Sequence, residues 1–500
     1  MRAYQLVPLM FLTACMVGPN YHKPDISMPS EFTETKKEAE AENSPCDEDL
    51  CEWWKQLGDP FLDALLEEAA RANYDLLIAI EKIEQARAQY RIERSYLWPE
   101  FDINAVATRS RNSQNFFSSS NSSSSASTAT TTGGPAGGSL PPFQNFFQLG
   151  FDAIWELDFF GKFRRAKNAA YYAWEATKED AQNVLISVLS EVAVNYVSIR
   201  ALQQQIDLAM KIIRTDEEEL LLTLALFEAG LDSEIQVEAL LAALDSDRAA
   251  LPVLETSIKQ TIYALAYLLG RQPEGLAAEF KETGAIPSGI DKVPVGLPSD
   301  LLRRRPDVRS AERQLAAATE EIGVAVADLF PHVTLTGNTF SGGSLTGSVI
   351  GYESGTLNKL LKSSSNFWSV GPAIRWDAID WGRTRANIAI QNSLQRQALL
   401  TYEQIVIASL RDVEGALVAY FDEQRRRAIL AEQVTANRRS LQLTEDLYQA
   451  GLASDLSVLE ARKTLLISET SLVNSQQSLT SDLIALYKAL GGNWECSSSR

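Results

Sequence analysis

Four thiols and two imidazoles are the whole stock of soft nucleophiles and nitrogen ligands in this chain, and their spacing limits what they can do. His22 stands beside the N-terminal segment and His332 where a helical pattern gives way to a strand pattern. Neither has ligand-like spacing to a cysteine, so no metal site is expected. No nucleophile–histidine pair is in view, and "GGPAGG" (133–138) lacks the strand–turn–helix context of a phosphate cradle. The sequence therefore predicts no cofactor and no enzyme. Cys46 and Cys51 lie five apart in an acidic loop, a spacing that allows a disulfide in an oxidising compartment and leaves Cys496 odd. Cys15 is of another kind, since it directly follows a short apolar leader.

That leader carries Arg2 and the run "LVPLMFLTA", too short to cross a bilayer as a helix. It ends in Leu12-Thr13-Ala14-Cys15, which resembles the bacterial lipobox, where the peptide is cut before the cysteine and the thiol is acylated. Cys15 is accordingly the expected lipidation site. Met16 stands where an aspartate would signal inner-membrane retention, so an outer-membrane destination is expected. Acyl chains only tether; integral insertion needs a further element. The formal charge of −19 argues against nucleic acid, whose phosphates need a basic surface.

The elements that position these residues are written twice. Tyr448 follows Phe227 by 221 residues, and the flanks repeat with them: "FEAGLDSEIQVEALL" at 227–241 and "YQAGLASDLSVLEARK" at 448–463. The same offset sets Trp155 on Trp376, Gly161 on Gly382 and Leu269-Gly270 on Leu490-Gly491. Upstream, an offset of 232 sets "YDLLIAIEKIEQARAQYRIERSYLWPEF" from 74 over "PDVRSAERQLAAATEEIGVAVADLFPHV" from 306. The difference between the offsets falls in a Ser/Gly-rich loop, around 112–141 in the first copy and 341–365 in the second. A register constant over such lengths is an internal duplication.

Each copy predicts a helix (about 74–97, about 306–329) ended by Pro99 or Pro331. Alternation follows, with Phe101, Ile103, Ala105 and Ala107 on one face and Val333 and Leu335 in the second copy. After the loop comes a second alternating, aromatic-rich run, so two strands per copy and four in all are expected. The rest is long helix. Leu185, Leu189, Val192, Tyr196, Ile199, Ile206, Met210 and Ile213 form a coiled-coil seam interrupted at Gln203, repeated as Val406, Leu410, Val413, Leu417 and Tyr420 with Gln424. Gly230 and Gly451 are read as left-handed ends of these rods, with Ser233 and Ser454 capping the returning helices. The two motifs thus become the tips of helical hairpins.

Strands of about 9–11 residues with one apolar face suffice to span an outer membrane, yet four cannot close a barrel, and open edges are not tolerated in lipid. Several copies would have to share one barrel. A lipid-anchored coiled-coil envelope scaffold without a pore is the competing reading. It explains seams and tips but not the amphipathic β-hairpins.

"GLPSDLLRRRPDVRSAERQLAAA" (296–318), the start "CMVGPNYHKP" and the duplicated hairpins resemble the TolC-like outer-membrane efflux family, in its lipoprotein, NodT-type branch. The resemblance implies a mainly α protein with a membrane β-barrel. Duplicated coiled-coil hairpins and four strands per protomer would form a homotrimeric 12-stranded barrel and a periplasmic α-barrel. It divides the chain into a signal peptide (1–14), a lipid-anchored and equatorial segment (15–60), a first repeat (61–270), an equatorial linker (271–297), a second repeat (298–491) and a tail (492–500). It implies a passive outer-membrane exit duct for drugs, toxic compounds or metal ions, extending into the periplasm. The partners implied are a periplasmic adaptor and an inner-membrane pump of the resistance–nodulation–division type; type I polypeptide secretion is the alternative cargo. By position, Ala229, Gly230, Leu231 and Ala450, Gly451, Leu452 would meet the adaptor. The family's entrance acids fall on Ser457 and Glu460. The serine departs from an acidic pair, and Asp455, Glu234 and Glu238 are the nearby acids able to restore charge. A carboxylate ring in a narrow pore would favour cations.

Overall fold

The computed structural model describes residues 16–29, Phe32, 53–111, 143–287, 298–336 and 350–492. Cys15, Cys46, Cys51 and Cys496, the leader and the Ser/Gly loop of the first copy lie outside these. In chain order the elements are α1 (Pro60–Ala72), α2 (Tyr74–Ser95), β1 (Glu100–Arg111), β2 (Phe143–Leu157), α3 (Lys162–Glu228), α4 (Glu234–Leu268), α5 (Pro273–Ala277), α6 (Leu301–Arg304), α7 (Pro306–Ala327), β3 (His332–Thr336), β4 (Ile350–Ser354), β5 (Asn366–Trp368), β6 (Gly371–Arg375), α8 (Arg383–Gln449) and α9 (Asp455–Ala489). Helices α3 and α8 have 67 residues each, rods of roughly 100 Å at 1.5 Å per residue. The chain divides into two compact units: residues 1–21, 88–171 and 316–395 form one, and the remainder the other.

The first unit holds the sheet. Strand β1 runs antiparallel along β2, from Glu100 opposite Ile154 to Arg111 opposite Phe143. On its other edge β2 pairs with β3 near its C-terminal end and with β4 farther back. In turn β3 pairs with β6, and β4 with β5. The four expected strands are therefore four antiparallel lanes, two of them built from two segments each. The last lane breaks before Gly371-Pro372, where proline supplies no N–H to a ladder; the third is described only at 332–336 and 350–354. Period-two alternation gives the sheet unlike faces. Phe101, Ile103 and Ala105 lie opposite Ala153, Phe151 and Leu149, while Asp102 and Asn104 lie opposite Asp152 and Gly150. Among the described residues, the outer sides of β1 and β6 have no strand beside them.

The duplication is visible in contacts as well as letters. The Trp155 indole N–H donates to the Leu97 carbonyl at 3.2 Å, and its counterpart Trp376 donates to Leu329 at 3.0 Å. Shifting the β1–β2 register by the two offsets gives Val333 opposite Ile374 and Thr336 opposite Gly371, which is the register of β3 and β6.

The second unit is helical, with Trp53, Trp54, Leu62, Leu66, Tyr196, Leu265, Ile484 and Tyr487 in its core. Trp53 stacks on Tyr487 at 5.4 Å, which fixes the stretch before α1 to α9. Asp59 caps α1 by accepting from the Phe61 and Leu62 amides, and it also accepts from the Tyr196 hydroxyl. Burial, then that bond, push the Tyr196 pKa up to about 12. The seam follows expectation from Leu189 to Ile199 and then changes, since Met210 is exposed while Leu208, Thr215 and Asp216 are buried. Gln203 marks the change. Its amide donates to the Phe280 carbonyl at 2.7 Å, tying the inter-repeat linker to α3.

One position does the same work with different chemistry in the two copies. Asn73, before α2, donates its side-chain amide to the Leu268 carbonyl at 2.8 Å and caps α2 through Leu76 N–H. Its counterpart Arg305, before α7, reaches the Ala489 carbonyl at 3.1 Å and pairs with Asp307. The arginines of "LLRRRPD" thus include a clamp that closes the C-terminal end of α9 onto the start of α7.

Candidate functional site

Both hairpin tips are built alike. Gly230 and Gly451 have φ of +71° and +70°, a region that costs an L-residue about 1–2 kcal/mol. At each, two backbone bonds close the rod: Leu231 N–H to Leu226 O and Gly230 N–H to Phe227 O, then Leu452 N–H to Leu447 O and Gly451 N–H to Tyr448 O. This is the Schellman arrangement. It normally covers an apolar residue at the position after the glycine. Here Leu231 and Leu452 are instead each 77% exposed. Ala229 and Ala450 are also exposed, so all six tip residues present themselves to solvent.

The returning helices differ. The Ser454 hydroxyl accepts from Ser457 N–H at 3.2 Å and lies 2.8 Å from the Ser457 hydroxyl, so Ser457 is engaged in the cap of α9. Ser233 has the extended backbone of a cap but makes no side-chain capping bond, contrary to expectation. The Gln236 N–H donates to the Ser233 carbonyl at 3.1 Å, and the Ser233 N–H donates to Asp232 Oδ1 at 2.7 Å. Glu234 and Asp455 occupy first turns, where helix dipoles favour a negative charge. Glu238 and Glu460 are exposed one turn farther on. Within one chain these five candidates lie on the first turns of two separate helices and form no ring.

The sequence reading missed a charge cluster farther along the hairpins. Asp216 of α3 has no exposed side-chain surface, and Lys463 of α9 places its ammonium 2.8 Å from Asp216 Oδ1 and 3.2 Å from Asp247 Oδ2 of α4. Alongside, Arg462 pairs with Glu218 at 3.2 Å. The two hairpins are thereby joined by charge. Burial pushes the Asp216 carboxyl pKa up, against the lysine's pull. Glu219 is raised as well, by burial first, then by the charges of Asp216 and Glu460. For Lys463, burial acts downward but the bonds to Asp216 and Asp247 outweigh it, and the net direction is up. The duplication hides this cluster, because Ala242 stands where Lys463 has its counterpart, and Asn437 where Asp216 does. A charge present in only one copy was the available signal.

A second missed site holds the segment just after Cys15. Arg165, near the start of α3, is fully buried, and its guanidinium donates to the carbonyls of Val17 (3.1 Å) and Gly18 (3.2 Å), to Asn20 Oδ1 (2.9 Å) and to Glu320 of α7 (3.0 Å). Val17 N–H donates to the Phe160 carbonyl. Gly18, at φ +88°, passes so close to α7 that an added Cβ would stand 2.6 Å from Gly323 Cα. Residues 17–20 are thus strapped to the junction where β2 ends and α3 begins. "VGPNY" immediately after the cysteine was the sequence signal. Among the described residues no three His, Cys, Asp or Glu side chains are grouped as a metal would require.

Against known proteins, the family model described as "Outer membrane efflux protein" matches residues 65–271 and 297–492, one stretch per repeat. The chain is 30% identical over 498 residues to the solvent efflux pump outer membrane protein SrpC of Pseudomonas putida, covering 99% of each. It is 28% identical to nodulation protein T of Rhizobium leguminosarum bv. trifolii, covering 97% of this chain and 96% of that one. Among solved structures, the outer-membrane channel OprN superposes with a TM-score of 0.81 at 30% identity, over 96% of this chain and all of that one.

Proposed function

Because the chain belongs to the outer membrane efflux protein family and is an outer-membrane exit duct for efflux, we propose that three copies share one barrel and conduct small molecules passively, without chemistry of their own. One observation carries the proposal. The sheet has an apolar face, a polar face and two open edges, and in lipid such a sheet is tolerated only when closed. Four lanes are too few for closure, and three copies give twelve. The polar face would line the lumen and the apolar face would meet lipid.

The rods carry the conduit into the periplasm, and the exposed Leu231 and Leu452 are apolar contacts for a periplasmic adaptor fed by an inner-membrane pump. Glu234, Glu238, Asp455 and Glu460 would give the entrance an acidic rim. Ser457 is left out of that role by its capping bond. Acylation of Cys15, one residue before the strapped segment, would tether each copy to the outer membrane. The cargo we propose is the efflux class, drugs, toxic compounds or metal ions. SrpC is named for solvents, and a passive duct leaves selection to its pump.

The test is conductance of the purified protein in a planar bilayer, with its solution mass measured in detergent. Discrete conductance steps from a particle of three chains are expected. A monomer, or particles that insert without conducting, would return the protein to the scaffold reading.

A further inference from the structure

The apolar face of the sheet carries two charges, and both sit at one end of one strand. Phe101, Ile103, Ala105 and Ala107 of β1 lie opposite apolar residues of β2, but farther on Arg109 lies opposite Asn145 and Arg111 opposite Phe143. Carried across the other lanes, the same face takes in Trp155, Leu335, Ile350, Trp368 and Ile374. Among the described strand residues, no other charged side chain stands on it. Asp102, Asp152, Glu156, Glu353 and Arg375 all belong to the opposite face.

The height of the two arginines is fixed by the strand. They follow Phe101 by eight and ten residues, at the end of the sheet away from α2 and α3. That is roughly 27 and 34 Å along a strand, and a tilt of about 40° reduces it to roughly 20 and 26 Å of height. The apolar band of an outer-membrane barrel is about 25 Å tall, so these cations stand where acyl chains give way to head groups. They also converge. The Arg109 and Arg111 Cζ atoms lie 5.3 and 5.6 Å from the centroid of the one Phe143 ring. Both are exposed, and neither has an ion-pair partner among the described residues. Two guanidiniums gathered at one ring, with no acid on their face, suit an anion, and their planar forks match the oxygens of a phosphate.

A second cationic element reaches the same height on the other side of β2. Gly355 follows β4 directly, and a Cβ added to it would stand 3.6 Å from the carbonyl oxygen of Asn145, the residue opposite Arg109. From there the loop 355–365 carries Lys359 and Lys362, both exposed, and no acid. Its Leu357 and Leu361 are 63% and 72% exposed. Lysines interleaved with exposed leucines are the composition of a surface that rests at a lipid interface, charge on the head groups and apolar side chains below them.

We propose that Arg109 and Arg111, together with Lys359 and Lys362, bind the phosphates of a diphosphorylated glycolipid of the lipid A type in the outer leaflet. The inference rests on the shared-barrel reading above, which puts this face in lipid and this end outside. The head group lies across β2 with a cationic group on each side. Its acyl chains run down Phe147, Leu149 and Phe151, which share the face.

The test titrates full-length protein in nonionic detergent with diphosphoryl lipid A and with the same lipid stripped of both phosphates, read by native mass spectrometry. The unmodified protein is expected to prefer the phosphorylated lipid by at least about tenfold, given about 1 kcal/mol for each surface cation near anionic lipid. Arg109→Gln with Arg111→Gln should remove most of that preference and leave the conductance steps unchanged. Arg109→Lys with Arg111→Lys, which keeps the charge and loses the fork, should fall between. Equal binding of the two lipids by unmodified protein, or an undiminished preference in the glutamine variant, overturns the site. Full displacement of the lipid by millimolar inorganic phosphate overturns the glycolipid in favour of a free anion. Should the strand variants fail to assemble, Lys359→Gln with Lys362→Gln lies outside the ladder and should still weaken the preference; no weakening overturns the two-sided site. Protein that conducts but ignores the lipid phosphates sinks this inference and leaves the duct standing, whereas unmodified protein that is monomeric in detergent sinks both.

Discussion

Replacing Lys463 with methionine keeps the length of the side chain and removes the cation that faces Asp216 and Asp247. Asp216 has no exposed side-chain surface, so its carboxylate would be left buried without a counter-charge, beside a second acid. Breaking a buried pair by removing one partner costs about 3–5 kcal/mol. A quarter of the lysine is open to water, which places this case near about 3 kcal/mol, or roughly a hundredfold in the local opening constant. Hydrogen exchange reads that directly, at the amides of 212–220 in α3 and 459–467 in α9. A double variant, Lys463→Met with Asp216→Leu, should recover most of the loss, since no charge is then stranded. The pH dependence has a definite sign. The folded-state pKa of Asp216 is raised, so its contribution is present at low pH and lost as pH rises through that value. In the single variant the defect should therefore shrink as pH is lowered. Exchange unchanged from the parent protein, or a defect that grows on acidification, would refute the claim that this cluster joins the hairpins.

Two further outcomes are expected. Gly18→Ala combines a left-handed backbone with an overlap against Gly323, so residues 16–29 should leave the Arg165 cradle; limited proteolysis with mass analysis should show new cleavage there while the α3 and α8 rods stay protected. Leu452→Glu, at a fully solvated tip, should abolish efflux in a susceptibility assay without changing the melting temperature of the oligomer. A lowered melting temperature would make the tip a folding element.

The parts of this molecule that follow from local pattern or from self-comparison were open to sequence reading. Gly230 and Gly451 announced the rod ends because a left-handed residue is needed there, and the offsets of 221 and 232 carried Trp155 onto Trp376 before any contact was known. What stayed hidden rests on partners far apart in the chain or on a break of the repeat. Lys463, Asp216 and Asp247 meet from three helices, and their counterparts Ala242, Asn437 and Ser468 are all uncharged, so alignment of the copies suppresses them. Asn73 and Arg305 perform one task with unlike side chains, which no letter comparison would equate. Ser233 matched Ser454 by letter and differs in fact, because the Gln236 amide goes to the Ser233 carbonyl and the hydroxyl makes no capping bond. The division of the last sheet lane followed from Gly371-Pro372, present in the alternating run but masked by it.

The strap around Arg165 sets a leash length. Met16 packs against Gly161 at the strand–helix junction, and consecutive Cα atoms are about 3.8 Å apart. The acyl group proposed on Cys15 would therefore have no slack beyond one residue and its own side chain. A chain anchored in this way would not ride up or down in the bilayer by more than a few ångströms without pulling Val17 to Asn20 out of their bonds. The proposed lipid would then be a depth stop as much as a tether. Inserting two or three flexible residues between Cys15 and Met16 would keep the anchor and free the height of the duct, which is the quantity an adaptor reaching up from the other membrane has to meet.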